Sequence, residues 1–193
     1  MAETMGTKSA AETIAGVAEL SDEALALLKP EFDPRAFVER LTEAKMYRDA
    51  VQFLAHALPK REAVWWAWVA ARRASGANPP PKIAAALKAT EDWISNPSDE
   101  SRRAARAAGE KAEFRTPAGC VGLAVFLSGG SLAAPGAPEV PPGEYLSAKM
   151  VSGAVVVAAL ATEPEKGPEK FQSFISQGLE VARRIKLWEP KQG

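Results

Sequence analysis

The sequence is poor in the residues from which disulfides, metal sites and nucleophilic active sites are usually built. It has one cysteine, Cys120, and one histidine, His56, among 193 residues. A single cysteine excludes an intramolecular disulfide, and one cysteine with one histidine cannot supply the ligands of a Cys/His zinc site. We therefore expect no metal and no other cofactor, and a reducing compartment, for which the cytoplasm is the simplest choice.

Net charge is also lacking, because 24 Lys and Arg residues balance 24 Asp and Glu residues and the pI is near 6.6. No excess of either sign draws the protein to nucleic acid or to anionic lipid. Residues 1–20 lack the basic stretch and apolar core of a secretory signal peptide. The longest apolar stretch, residues 150–161, is far shorter than the roughly 20 residues that span a bilayer. We expect neither a nucleic-acid partner nor a membrane span.

Strand-forming patterns are the third deficiency. The only β-like run is the valines at 155–157, and its long alanine- and glycine-rich context favours a buried helix. Helical spacing elsewhere predicts an all-α fold of eight to nine helices, built from helical hairpins as a compact bundle or a short irregular α-solenoid. We predict a single helical domain over residues 21–187. A flexible N-terminal lead, residues 1–20, precedes it, and a C-terminal tail, residues 188–193, follows.

Capping residues mark several helix starts. Ser21 stands before an acidic first turn, and both Asp33 and Thr116 are followed by a proline at the first helical position. Near the C-terminus the pattern predicts two longer helices, over residues 144–162 and 168–186.

The segment REAVWWAWVAARR, residues 61–73, contains three of the five tryptophans. At about 100° per residue, Trp65 and Trp68 share one bulky face and a row of alanines lies opposite. This arrangement predicts an inner helix with both tryptophans in the core. Arg72 follows Trp68 by four residues, which allows a cation–π contact.

Trp66 lies between these two faces, beside Glu62 and Arg73. We predict that it is the most exposed of the three clustered tryptophans. Exposed aromatic side chains next to arginine are typical anchors of protein interfaces. We therefore predict that Trp66, Arg73 and Glu62 bind another protein.

A different site would use Cys120, His56 and Tyr47. Cys120 is near a helix start, where the helix dipole lowers a thiol pKa, but a nucleophile also needs a base nearby. A buried core cysteine and a helix-end histidine are the simpler interpretations. The lack of convergent reactive groups favours a non-catalytic protein-interaction module. The alternatives are an enzyme or small-ligand-binding protein with a pocket between helices, or a structural oligomer subunit.

Two further patterns have simple structural interpretations. Acidic residues are interspersed among Arg102, Arg103, Arg106 and Arg115, as is typical of a solvated helix with many ion pairs. Residues 131–143, SLAAPGAPEVPPG, carry prolines at every third position, which a polyproline II helix would align along one edge. No basic residue flanks these prolines, so we predict a stiff surface linker packed over the bundle. The pattern leaves open whether this segment binds a partner.

Three stretches together carry a resemblance to a protein family: YRDAVQFLAHALPKREAVWWAWVAAR, TPAGCVGLAVFLSGGSLAAPGAPEVPP and AKMVSGAVVVAALATEPEKGPEKFQSFISQGLEVAR. The chain resembles an uncharacterised family of bacterial all-helical proteins, a domain of unknown function associated with type VI-like secretion loci. The resemblance covers residues 25–187, and its most specific parts are LPKREAVWWA and FLSGGSL. It implies a bacterial cytoplasmic accessory protein, such as an adaptor or chaperone for a secreted cargo, and it implies no catalytic residues.

Overall fold

Ten α-helices and one short 3-10 helix form the regular structure of residues 8–189, which is the part of the chain that the computed structural model describes. No strand occurs in this part, so the all-α prediction is confirmed. The helix count exceeds the predicted eight to nine because α1 forms within the segment that we predicted to be a flexible lead. The helices are α1 (Ala10–Ala15), α2 (Asp22–Leu25), α3 (Pro34–Glu43), α4 (Tyr47–Ala57), α5 (Lys60–Ala74), α6 (Pro81–Ser95), α7 (Asp99–Lys111), α8 (Pro117–Phe126), α9 (Leu146–Leu160) and α10 (Gly167–Arg184).

The predicted capping residues begin the helices that we assigned to them. Ser21, Asp33 and Thr116 are the N-caps of α2, α3 and α8, and each side chain accepts a hydrogen bond from the backbone N–H three residues later. Because these bonds satisfy N–H groups that have no partner within the helix, they fix where each helix starts. The two long C-terminal helices also form, within about two residues of the predicted bounds at each end.

The centre of the molecule is built from α8 and α9, the two most apolar helices. α8 packs against α5, α6, α7 and α9, while α9 also packs against α4, α5 and α10. Repeats in a solenoid contact only their neighbours in the chain, whereas these contacts join distant helices. The architecture is therefore a bundle rather than a solenoid.

The apolar stretch at residues 150–161 forms the C-terminal part of α9 and its C-cap, Ala161, and Val151, Ala154 and Val155 are fully buried. This confirms the predicted buried helix. Within residues 8–189, no helix by itself has the length and apolar character needed to cross a membrane. Only α9 taken together with residues 164–184 meets that test, and the chain bends by 118° between them.

The N-terminal segment differs from the predicted flexible lead in its described part, residues 8–20. Ser9 caps α1, and Ala11, Ala15 and Ala18 are buried against the bundle. α1 packs against α3 and α4, so this segment belongs to the helical domain. Residues 1–7, and residues 190–193 of the predicted tail, lie outside the described part. Trp188, the first residue of that tail, packs against the core.

Candidate functional site

Trp66, which we predicted to be exposed, is the most buried of the three clustered tryptophans. Its exposed fraction is 0%, and its indole N–H donates a hydrogen bond to the backbone carbonyl of Phe174 on α10 at 2.8 Å. The prediction of an exposed Trp66 is wrong because the alanine face of α5, rather than its bulky face, points into the bundle. At about 100° per residue, Trp66 borders that alanine face. It cannot contact a partner in the folded protein.

Arg73 and Glu62 do not form one surface with Trp66 either. Arg73 is exposed, but its guanidinium donates to the Ser173 hydroxyl oxygen at 2.9 Å and lies 5.3 Å from the centre of the Phe174 ring. It is therefore engaged in joining α5 to α10. Glu62 is half-buried and forms no ion pair within residues 8–189.

The bulky face of α5, with Trp65 and Trp68, lies partly at the surface. Both indoles are half-buried and pack against the edge of the core, so the prediction of core positions is only partly right. The Trp68 indole N–H donates to the backbone carbonyl of Leu87 at 2.9 Å. The Arg72 guanidinium lies 5.5 Å from a Trp68 ring centre, which confirms the predicted cation–π contact.

A groove of about 380 Å³ opens beside Trp65, between the start of α5, the end of α6 and the last turns of α10. We call it the α5–α10 groove. Its walls include Arg61, Glu62, Trp65, Ile94, Val181 and Ile185. Ile185 is 40% exposed, and the Arg61 side chain donates to the backbone carbonyl of Ile94 at 2.8 Å. The groove thus combines an indole and aliphatic side chains with two charged groups that have no ionic partner within residues 8–189.

A larger groove of about 790 Å³ lies on the other side of α10, against α3 and the segment at Leu187 and Trp188. Its charges are largely paired within the chain. Arg35, for example, donates to Glu39 at 2.8 Å. Glu180, which also lines the α5–α10 groove together with Arg184, accepts hydrogen bonds from Arg183 and Arg184, which together lower its pKa to about 2. Because such pairs are already satisfied, this groove offers fewer free charges to a partner than the α5–α10 groove does.

The structure does not bring Cys120, His56 and Tyr47 together. Tyr47 stands at the start of α4, where its ring stacks on Phe171 at 5.8 Å. His56 is in the last turn of the same helix, roughly 13 Å farther along its axis. Cys120 is on α8, and neither of the two grooves is lined by any of these three residues. The alternative pocket that we predicted from these residues does not form.

Cys120 is a core residue, as the simpler interpretation predicted. It is 8% exposed, and its thiol donates to the backbone carbonyl of Phe114 at 2.8 Å. Burial raises the pKa of the Cys120 thiol, because it disfavours the charged thiolate. A raised pKa opposes the reactivity that a nucleophilic cysteine needs.

His56 has one ring nitrogen bonded and the other unpartnered. Nδ1 is 2.8 Å from the carbonyl oxygen of Gln52, one turn earlier, and therefore carries the proton. Nε2 is buried and has no hydrogen-bond partner in the described part of the chain. Burial lowers the pKa of His56, and the ring lies against Tyr145 with centres 5.8 Å apart.

Arg102, which we expected on a solvated helix face, is buried, with an exposed fraction of 4%. Its guanidinium donates to the carboxylate of Asp99 and to the backbone carbonyls of Phe126, at 2.6 Å, and Ser131, at 2.9 Å. Gly130, with φ of +64°, passes so close that an added Cβ would lie 2.9 Å from the guanidinium. A residue without a Cβ at position 130, in the "SGG" that follows α8, therefore leaves room for the Arg102 guanidinium.

Arg103 extends this contact along the same segment. It donates to Asp99, to the carbonyl of Ser131 at 3.2 Å and to the carbonyl of Ala133 at 2.9 Å. Hydrogen bonds from Arg103 and Arg102 lower the pKa of the Asp99 carboxyl. We call Asp99, Arg102 and Arg103 the arginine clamp, because together they hold the chain just after α8.

Within residues 8–189, no group of three or more His, Cys, Asp or Glu side chains is arranged to hold a metal ion.

A family model described as a family of unknown function (DUF6931) matches residues 37–182 of the 193. The chain belongs to the DUF6931 family. The matched range runs from α3 to α10 and includes α5 and the arginine clamp of this DUF6931 chain. No curated protein and no solved structure matches it.

Two features of this DUF6931 chain escaped the sequence reasoning. The first is Trp65, whose partial exposure depends on which face of α5 is covered, and that choice is made by α8, α9 and α10. The second is Arg102, where a sequence signal was present. Arg102 follows the acidic Asp99 at the start of α7 by three residues, and the glycine pair at 129 and 130 leaves space for a large side chain. Local sequence could not show that the two belong together, because the contact between α7 and the end of α8 is long-range.

Proposed function

We propose that this chain is a non-catalytic protein-interaction module that binds another protein through the α5–α10 groove. The observation that carries the proposal is the exposed Ile185 beside the half-buried Trp65, flanked by Arg61 and Glu62, whose charges have no ionic partner within residues 8–189. Aromatic, aliphatic and arginine side chains around one concave site are the composition of interface centres. The occupant that fits is a protein segment that inserts an apolar side chain and carries charges of both signs beside it.

The non-catalytic part of the proposal is supported by the separate positions of Cys120, His56 and Tyr47. Catalysis by a nucleophile requires a base within hydrogen-bond reach. Here the thiol is bonded to a carbonyl, and the tyrosine hydroxyl accepts a hydrogen bond from Gln172 at 3.1 Å.

The test compares two charge insertions at equally exposed aliphatic side chains. Ile185, in the groove, and Leu25, on α2, are each 40% exposed. The tagged protein is cross-linked mildly in its native cells, and the proteins that co-purify are identified and quantified. We expect Ile185→Glu and Glu62→Lys to lose a partner that wild type and Leu25→Glu retain, with all variants folded by circular dichroism.

Two results would contradict this assignment. A partner retained by both groove variants would place the interface elsewhere. A molar mass by light scattering that rises with concentration, in the absence of any other protein, would favour the structural oligomer subunit instead.

The resemblance to proteins of type VI-like secretion loci supports a more specific version of the proposal. In that version the chain is a bacterial cytoplasmic adaptor or chaperone, and the groove binds a cargo or a component of the secretion machinery. Deleting the gene should then reduce the export of a defined protein. Wild type and Leu25→Glu should restore export and Ile185→Glu should not. Unchanged export in the deletion strain would reject this version while leaving the interaction module intact.

A further inference from the structure

The connection between α8 and α9 is longer than joining the two helices requires. It runs from Leu127 to Tyr145 without a helix or strand. Loops without secondary structure that exceed roughly 12–15 residues are uncommon, and they are usually either functional or disordered. Within this connection we call residues 131–143 the proline loop.

The base of the proline loop is fixed from two sides. Ser131 and Ala133 are held through their carbonyl oxygens by the arginine clamp. The Leu132 N–H donates to the carbonyl of Val140 at 2.8 Å, and the Val140 N–H donates to the Ser131 hydroxyl oxygen at 3.0 Å. These hydrogen bonds join the two ends of the loop, so its base is ordered and it is not a flexible linker.

Arg102, which holds the base of the loop, has a charged side chain whose burial is unfavourable. Removing a guanidinium from water carries a desolvation cost of several kcal/mol, which only well-formed hydrogen bonds offset. Arg102 is nevertheless buried, and two of its acceptors are the end of α8 and the loop carbonyl of Ser131. One main role of the buried Arg102 side chain is thus to hold the proline loop in place.

The far part of the loop projects into solvent. All residues from 134 to 141 are exposed, and Val140 is 50% exposed, the highest fraction among the large exposed hydrophobic side chains of residues 8–189. The Ala137 N–H bonds to the carbonyl of Ala134, and Gly136 has φ of +84°, which together with Pro135 is the pattern of a type II turn. Pro135 therefore belongs to a turn and does not align with the later prolines as we predicted.

The rest of the loop, PEVPP at residues 138–142, contains no helix, turn or strand, and its three prolines favour an extended backbone. Each proline fixes its own φ, and each residue before a proline is pushed to the β or polyproline II region. In a polyproline II conformation, Pro138 and Pro141, three residues apart, share one edge. Such a segment loses little conformational entropy on binding because its prolines restrict the backbone beforehand.

We propose that the proline loop is a second recognition element, distinct from the α5–α10 groove, and that residues 138–142 bind an aromatic-lined groove of a partner protein whose rim carries a basic side chain. The basic rim follows from charge. Glu139 is the only ionisable residue in the loop, and it has no ionic partner within residues 8–189. An acidic rim, which suits proline-rich ligands flanked by arginine, would repel it.

The test places a photo-activatable cross-linking amino acid at Val140 and, in a control protein, at the exposed Leu25. After irradiation of native cells, we expect one prominent adduct from the Val140 position and none of the same mass from Leu25. A synthetic peptide of residues 132–142 should compete with the adduct. A peptide of the same composition with the prolines moved out of their three-residue spacing should not compete.

Three variants of the Val140 protein then test the chemistry. Pro138→Ala with Pro141→Ala should lower the adduct yield about tenfold, corresponding to roughly 1.4 kcal/mol of lost binding. Glu139→Lys should lower it by a similar factor, and Glu139→Gln by less. Arg103→Gln, which releases Ala133 and one bond to Ser131, should lower the yield without unfolding the protein, because a loosened loop must be ordered on binding.

Either of two results would overturn the proposal: no adduct at Val140 above the Leu25 control, or an adduct whose yield is unchanged by the double proline variant and by Glu139→Lys. Ile185→Glu serves as a further control. It should leave the Val140 adduct in place, since the loop does not depend on the α5–α10 groove.

Discussion

Trp66 can be buried only because α10 presents a glycine where the indole lies. A Cβ added at Gly178 would be 2.9 Å from Trp66 Cε2 and 2.4 Å from Leu54 Cδ2. Both neighbours are fully buried, so neither can move away freely. We predict that Gly178→Ala lowers the free energy of unfolding by about 1–3 kcal/mol through overpacking, measured by urea denaturation.

The same substitution at Gly153 is the control for Gly178→Ala. Gly153 lies inside α9, and a Cβ added there meets nothing within 4 Å. Replacing a helical glycine by alanine without a clash stabilises by about 0.5–1 kcal/mol. The two variants should therefore differ in sign. Equal effects would mean that α5 and α10 do not meet as closely as described.

The protonation of His56 gives a prediction that depends on pH. Burial lowers its pKa below the usual 6.5, the Lys149 charge acts in the same direction, and the hydrogen bond to Gln52 and the charge of Glu19 act against them. Above pH 6.5 the ring is neutral in both the folded and the unfolded chain, so it adds no pH dependence. As pH falls below 6.5, the unfolded chain binds the proton first, and stability is lost until the pH reaches the lower folded pKa.

Because His56 is the only histidine, its ring protons can be titrated by NMR without assignment ambiguity. We expect a midpoint below 6.5 in the folded protein. The unfolding free energy of wild type minus that of His56→Gln should be constant above pH 6.5 and decrease below it. A midpoint at or above 6.5 would show that the ring is not desolvated.

At the same scale, Trp66 shows what local sequence could and could not predict. Periodicity correctly separated the alanine face of α5 from the face of Trp65 and Trp68, and it placed Arg72 against Trp68. It could not say which face is covered, because that depends on helices far along the chain. The cavity that receives the indole is made by Gly178, a residue more than a hundred positions away.

Among the structural elements, the arginine clamp is the contact that joins α7 to the end of α8. Arg102 and Arg106 both place their guanidinium carbons 4.6 Å from the centre of the Phe126 ring, but only Arg102 also donates to backbone carbonyls. We predict that Arg102→Met destabilises by about 1–3 kcal/mol for each buried carbonyl left without a donor. Arg106→Met, at an exposed position, should cost about 1 kcal/mol or less.

Hydrogen exchange should separate these two variants as clearly as denaturation does. In Arg102→Met, the amides of Leu132 and Val140 should exchange faster, because the loop base loses its main donor. In Arg106→Met, they should exchange as in wild type. Equal destabilisation of the two variants would mean that stacking on Phe126, and not the carbonyl contacts, is the energetic role of Arg102.

Element boundaries were easier to predict than element partners. N-caps such as Asp33 and Thr116 form hydrogen bonds with residues only three positions away, so their effect is visible in the local sequence. The clamp acts through bonds that span 24 to 30 positions, from α7 to the chain beyond α8. Local sequence therefore predicts a solvated face for the arginines of α7, because it shows the acidic residues near them and not the distant carbonyls that they bind.

For the whole molecule, sequence left a choice between a solenoid and a bundle, and the choice depended on contacts that no repeat period encodes. α9 packs against α4 and α5, which precede it by more than 70 residues. Because α8 and α9 together contact five other α-helices, loss of either would expose most of the core. The helices should therefore unfold together rather than one by one, as they would in a repeat array.

This cooperativity extends to the N-terminus, where structure and sequence prediction differ most. Ala11, Ala15 and Ala18 are almost fully buried, and Leu20 is 9% exposed. We predict that deleting residues 1–20 lowers the free energy of unfolding by at least about 2 kcal/mol, because it exposes the surface of α3 and α4 that α1 covers. Deleting residues 1–7 alone keeps Ser9 and α1 and is the matched control, which we expect to be more stable than the deletion of residues 1–20.

Urea denaturation followed by both tryptophan fluorescence and far-ultraviolet circular dichroism measures this difference. The fluorescence reports on the packing around the five tryptophans, which include Trp66 between α5 and α10, and the circular dichroism reports on all helices. The two transitions should coincide in the full chain and in both deletions, since one core connects the helices. If deletion of residues 1–20 proved as stable as deletion of residues 1–7, the N-terminal segment would be a dispensable lead, and the domain would begin at residue 21.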